Sequence, residues 1–297
     1  MGEILIGTCS WTDPTLIGCG RFYPGWAKSA RARLEYYSSQ FRLVEVDSSY
    51  YSIPNEKVSR LWAERTPDNF IFDVKAFRLF TQHPTPLATL PTDLRSALPA
   101  ELKAKTSIYQ REIPDELVGE LWQRFEQALL PLDSMGKLGV ILFQFPPWFF
   151  PGYSQCEYIL GCKERLPQYH LAIEFRNNVW LNEKNRKQSL EFLRENDLPL
   201  VCVDEPQGFQ SSVPPVAEVT SDISLVRFHG RNREAWEKKG ITPAERFDYL
   251  YTKEELQEWL PRIRQLAGET QQLHILFNNC RDDKAVVNAR QITLMLD

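Results

Sequence analysis

The chain has 297 residues, 43% hydrophobic and 25% charged, a composition that excludes a disordered or membrane-embedded protein and fits an ordinary globular one. A net charge of −4 gives no global attraction for nucleic acid, so any anion site must be local. Cys9, Cys19, Cys156, Cys162, Cys202 and Cys280 form no C-x-x-C pair, which argues against a zinc framework or a small disulfide scaffold. The chain opens on Glu3-Ile4-Leu5-Ile6 without the pattern of a secretory leader, and no apolar run nears the roughly 18 residues of a membrane span, so a cytoplasmic protein with no membrane partner is expected.

Taken in chain order, β-branched apolar runs predict strands near 3–8, 42–47, 70–75, 138–145, 170–175, 199–204, 223–229 and 273–279. Amphipathic stretches between them predict helices near 28–40, 55–66, 115–133, 154–166, 184–196, 253–267 and 283–296. Two carry start signals: Pro54-Asn55, and Thr252 with Glu255 three residues on. Eight βα units with right-handed crossovers close most simply into a TIM (β/α)8 barrel, expected here as a single domain over 1–297 because no Gly/Ser-rich linker divides the chain. A doubly wound open sheet is the alternative, but the Gly-rich phosphate turn it uses is missing after the first strand, where Gly7-Thr8-Cys9-Ser10-Trp11 stands instead.

Three βα connections are long. The proline-rich segment 77–114, with Phe80, His83 and Tyr109, has too many breakers for one regular helix and is expected to form a lid-like loop, or else a packed surface insertion. Segments 205–222 and 230–252 are two further loops of this kind.

Side chains alternate across a strand, so parity decides which polar residues converge inside a barrel. Glu45 shares a face with Asp47, Asp73 with Lys75, Glu174 with Arg176, Arg227 with His229, and His274 with Asn278; Gln144 and Asp204 add one each. These groups gather at the C-terminal strand ends, where barrel enzymes keep their sites. Each buried ion costs several kcal/mol of desolvation, so the set either uses a ligand or forms a salt-bridge network that pins the barrel. Glu45, Asp47, Lys75, Glu174, Arg176 and Asp204 are the candidate catalytic residues.

Arg227-Phe228-His229-Gly230-Arg231, with Asn278-Asn279 on the next strand, offers many donors where this fold habitually cradles phosphate. Arg227, His229, Arg231, Asn278, Asn279 and Gln144 are therefore expected to hold an anion, with Arg227 pairing to Asp204 or Glu174 as the structural counter-reading. The carboxylates could serve as acid and base or ligate a hard cation such as Mg²⁺ or Mn²⁺. With four histidines in the chain, His229 falls at the barrel mouth and His83 within reach of it, too few for a histidine-rich zinc cluster. Trp11, Tyr50, Tyr51, Trp148, Trp180, Tyr249 and Tyr251 follow strand ends and either stack on a ligand or belong to the core. Cys9 and Cys280 end the first and last strands, which meet in a closed barrel, so a reactive pair is conceivable.

The blocks Gly7-Thr8-Cys9-Ser10-Trp11, Arg21-Phe22-Tyr23-Pro24, Val44-Glu45-Val46-Asp47-Ser48-Ser49-Tyr50-Tyr51, Phe72-Asp73-Val74-Lys75, Leu142-Phe143-Gln144-Phe145-Pro146-Pro147, Ala172-Ile173-Glu174-Phe175-Arg176, Val226-Arg227-Phe228-His229-Gly230-Arg231 and Phe277-Asn278-Asn279 resemble, in order, those of the YecE-like proteins. The resemblance spans nearly the whole chain. It implies a TIM barrel with a polar pocket at its C-terminal face, in a family filed under unknown function, and implies no reaction. On the residues, the expected function is a hydrolase- or lyase-type enzyme on a small anionic or phosphate-bearing substrate. The alternatives are a noncatalytic anion sensor or scaffold, and a nucleic-acid phosphodiesterase that shares only its fold with barrel endonucleases.

Overall fold

The computed structural model describes residues 2–296. Eight parallel strands, β1 Glu3–Thr8, β2 Leu43–Val46, β3 Ile71–Lys75, β4 Leu138–Gln144, β5 His170–Glu174, β6 Val201–Asp204, β7 Ile223–Phe228 and β8 Gln272–Phe277, pair in sequence order. β8 returns to β1, Glu3 facing Gln272 and Thr8 facing Phe277, and a single bridge from Ile173 to Leu200 joins β5 to β6. The result is the TIM barrel that the alternating elements predict.

Seven main helices, Ala30–Gln40, Glu56–Glu64, Asp115–Ser134, Tyr153–Arg165, Arg186–Glu195, Lys253–Glu269 and Lys284–Leu296, lie within about two residues of their predicted bounds. Both start signals are realised. Asn55 accepts the Val58 N–H at 3.0 Å, while Thr252 and Glu255 exchange backbone bonds at 2.9 and 3.3 Å. Between β6 and β7, residues 205–222 contain no helix, so the sixth crossover is an irregular strap whose Val213 and Val216 are buried in its place.

The outward faces of the strands pack against the helices as one apolar layer that includes Phe72, Val74, Phe143, Phe228 and Phe277. Segment 77–114 belongs to this layer as well. It folds as a 3-10 turn at Arg78–Thr81, a two-residue antiparallel pair Thr85–Pro86 with Ser107–Ile108, and short helices Thr92–Ala97 and Ala100–Lys103. Leu79, Phe80, Leu87, Leu94, Leu98 and Ile108 are buried, and Phe80 stacks on Trp122 with ring centres 3.8 Å apart.

Two close approaches shape the interior. A Cβ on Gly7 would stand 1.9 Å from the Leu43 carbonyl oxygen, so only glycine lets β1 lie against β2 there. On β4, Phe72 faces Leu138 while Val74 faces Ile141, an extra residue that makes a bulge. The Val140 N–H freed by it donates to Asp73 Oδ1 at 2.9 Å, and His274 Nδ1 meets Asp73 Oδ2 at 2.9 Å from across the barrel. Gly139 leaves the room, since a Cβ there would come within 2.3 Å of Asp73 Oδ1. Among the described residues, no helix is long and apolar enough to cross a membrane.

Candidate functional site at the barrel mouth

One inward step beyond His274 toward the strands' C-terminal ends, Arg227 lies fully buried on the barrel axis. Its Nη2 donates to Glu45 Oε1 at 2.8 Å and its Nη1 donates to Glu174 Oε2. Gln144 Oε1 stands 3.4 Å from Nη1, and Cys9 Sγ, 3.5 Å from Nη2, donates to Glu45 Oε2 at 3.3 Å. A second guanidinium lies above the first. Arg176 Nε is 2.6 Å from Glu174 Oε1, its Nη1 donates to Glu205 Oε2 at 2.6 Å, and its Nη2 is 3.0 Å from His229 Nε2. Asn278 Nδ2 lies 2.9 Å from His229 Nδ1, and His229 Nε2 stands 3.2 Å from Glu174 Oε1.

The acids in this column are not equivalent. Burial raises the Glu45 carboxyl above the usual carboxylate range, although Arg227 and Lys75 pull it back. Burial acts on Glu174 in the same sense, but Arg176, Arg227 and His229 outweigh it and hold that carboxyl well below the range. Burial also lifts Glu205 to about 8 against Arg176, and with Arg176 it keeps His229 well below the usual imidazole value, hence neutral. The Cys9 thiol is pushed up by burial and by Glu45, and Cys280 is pushed up to about 12, so both cysteines are held as thiols and not as nucleophilic thiolates.

Around the mouth the groups are looser. Lys75 Nζ donates to Asp47 Oδ1 at 3.1 Å, with side chains 11% and 32% exposed. Lys75 Nζ and Arg78 Cζ stand 4.7 and 5.2 Å from the Tyr50 ring centre. His83 meets Tyr50 and Trp148 edge to face at 5.4 and 5.8 Å.

The structure thus brings together Glu45, Glu174, Arg176, Arg227, His229, Gln144 and Asn278, with Asp47, Lys75 and Tyr50 beside them. Four candidates fall elsewhere. Asp204 is paired laterally with Phe228 and so faces the helix layer, where Trp259 Nε1 and the Tyr251 hydroxyl each donate to it at 2.7 Å. Arg231 follows it outward, donating to Asp204 and Glu258 at 2.8 Å. Asn279 is buried and donates to Tyr249 O at 2.9 Å and Asn288 Oδ1 at 2.8 Å. Trp11 packs edge-on against Trp62 and Phe72 in the core. The cradle expected after β7 and β8 therefore does not assemble, and both Nη atoms of Arg227 already serve carboxylates.

Glu205 and Arg78 were missed. The register of β6 on β7 sets Val203 beside inward-facing Arg227, so the next inward residue is Glu205 and not Asp204, and that register is fixed by the pairing rather than by the local sequence. Arg78 stands on a 3-10 turn outside any strand period and gave no signal. Among the described residues, no three His, Cys, Asp or Glu side chains are grouped so that they could hold a metal ion.

A family model described as protein of unknown function DUF72 matches residues 5–297. The UPF0759 protein YunF of Bacillus subtilis (strain 168) is 33% identical over 299 residues, covering 99% of this chain and 95% of that protein. Two crystal structures of DUF72 family proteins share the fold over essentially their full lengths. EF0366 from Enterococcus faecalis V583 has a TM-score of 0.74 at 26% identity, covering 100% of this chain and 98% of that one. TM1631 from Thermotoga maritima MSB8 has a TM-score of 0.76 at 29% identity, covering 99% of each.

Proposed function

The chain belongs to the family described as protein of unknown function DUF72, and from that premise we propose that it is a general acid–base enzyme of hydrolase or lyase type acting on a small anionic substrate at the barrel mouth. The YecE-like blocks read as this same family's signature. The supporting observation is that Glu45 and Glu174 flank one guanidinium, Arg227, while their surroundings push their proton affinities apart. Carboxyl pairs separated in this way are how acid and base roles are divided between like groups. Glu45 is the proton donor and Glu174 the carboxylate base. Arg227 positions both and does not grip the substrate.

Lys75 and Arg176, at the upper edge of the column, stabilise negative charge on the substrate, and His229 with Asn278 orients Glu174. On this reading residues 1–297 act as one cytoplasmic domain, with segment 77–114 as a wall of the mouth.

The test is a turnover screen of phosphoesters and carboxylates, with and without added Mg²⁺ and Mn²⁺, on the wild type and on Glu45→Gln. The amide still accepts from Arg227, so the fold is kept, and turnover should fall about 10²–10⁴-fold. The remaining bell-shaped pH profile should lose its alkaline limb. Turnover unchanged in Glu45→Gln would sink the acid–base assignment.

A further inference from the structure

The mouth has one corner whose charges are not answered. Lys75 and Arg78 both approach the Tyr50 ring, yet the carboxylate among them is Asp47, a third exposed, which serves Lys75. Arg78 makes no ion pair among the described residues, and its Nε is buried without an acceptor. A buried guanidinium nitrogen without an acceptor is costly, so the corner favours any acceptor that reaches it.

The same corner carries an aromatic wall whose rings meet edge to face. From Lys75 the contacts run to Tyr50, then to His83, then to Trp148, in steps of 4.7, 5.4 and 5.8 Å. His83 is uncharged: burial and then Lys75, Arg78 and Arg176 lower it to about 3. Its ring therefore adds no cation to the wall. Trp148, 52% exposed, ends this wall beside the charged corner.

We infer that the ligand of this site is an anion bearing an aromatic ring, its charged group held between Arg78 and Lys75 and its ring laid against Trp148 and His83. This rests on the anionic-substrate reading above and narrows it. Arg78 then acts as a binding residue, and Trp148 selects for a planar group over a saturated one of equal size, because a π face gains about 0.5–1.5 kcal/mol from an aromatic partner beyond area burial.

Inorganic phosphate, phenyl phosphate and cyclohexyl phosphate separate these claims when titrated calorimetrically into the wild type, Trp148→Ala and Arg78→Gln. Phenyl phosphate should bind the wild type about threefold to tenfold more tightly than cyclohexyl phosphate, and Trp148→Ala should erase that preference. Arg78→Gln should weaken all three by about tenfold or more. If Arg78→Gln does not fold, Arg78→Lys takes its place, with a loss of about threefold expected and unchanged affinity overturning the assignment. Equal binding of the two esters, or a preference that survives Trp148→Ala, overturns the aromatic inference and leaves the anionic reading standing. If none of the three binds the wild type, the anionic reading itself fails.

Discussion

Two clusters of the same residue types sit a few residues apart in this barrel and have opposite character. In the interior of β5 and β7, Glu174, Arg176, Arg227, His229 and Glu205 satisfy one another almost completely and are closed to solvent. At the β2–β3 corner, Lys75 shares one partly exposed aspartate, and Arg78 makes no ion pair among the described residues. Keeping charge inside a protein requires pairing, so in the saturated cluster Arg227 is spent on its own carboxylates, while the unsaturated corner keeps cations available to grip an anion. Arg227 looked like the strongest anion ligand on the page of sequence, and its own carboxylates already occupy it.

The largest expected effect tests the saturated half of that contrast. Glu174→Ala leaves Arg227 and Arg176 each short of a carboxylate in a site without solvent, which should cost about 3–5 kcal/mol in urea unfolding. A loss below about 1 kcal/mol would mean that the column is far less dependent on its pairing than the geometry requires.

The second effect concerns acid. His83 has a folded value of about 3 against an unfolded value of about 6.5, so as pH falls below about 6.5 the unfolded chain takes up the proton first. Stability that is present above about pH 6.5 is then lost down to about pH 3. Relative to His83→Gln, the wild type should lose about 2–3 kcal/mol between neutrality and about pH 4.5. Parallel stability curves for the two proteins would show that neither burial nor the cations of the corner depress the imidazole.

Smaller again is Gly139→Ala. Its Cβ would meet Asp73 Oδ1 at 2.3 Å and Ile71 Cγ2 at 2.7 Å, both on β3, so the bulge must shift and about 1–3 kcal/mol should be lost. A neutral result would show that the Asp73–Val140 bond yields easily and that the bulge does not fix the height of the charged column.

These contrasts also mark what was legible in the sequence. The barrel was, because buried parallel strands read as apolar runs and the helices between them keep a 3.6-residue period. Glu45, Glu174 and Arg227 were legible through parity, since in β2, β5 and β7 the inward face alternates regularly. Asp204 departs from the rule because polarity alone does not mark an inward face: its carboxylate caps an outer cluster of Tyr251, Trp259 and Arg231. Asn279 lies an odd step from inward-facing Asn278, whereas Arg231 keeps the parity of Arg227 and His229 but stands past the end of β7, where no strand period governs it. The bulge at Gly139 and the 3-10 turn carrying Arg78 follow from long-range fit, which no local period encodes.

Lys75→Met should have the smallest effect on stability and the most informative one on binding. The ammonium is paired to a carboxylate that is itself a third exposed, and methionine keeps the apolar stem against Tyr50, so stability should change by no more than about 1 kcal/mol. Phosphate-dependent stabilisation should nevertheless fall, because stabilisation by a ligand depends on its affinity for the folded state alone. Measured beside Glu174→Ala, the pair separates the two halves of the barrel: one variant that harms the fold through its neighbours, and one that leaves the fold and removes a hand from the ligand. If Lys75→Met costs as much as Glu174→Ala while phosphate stabilises it undiminished, the β2–β3 corner is structural after all, and the unanswered charge of Arg78 needs another account.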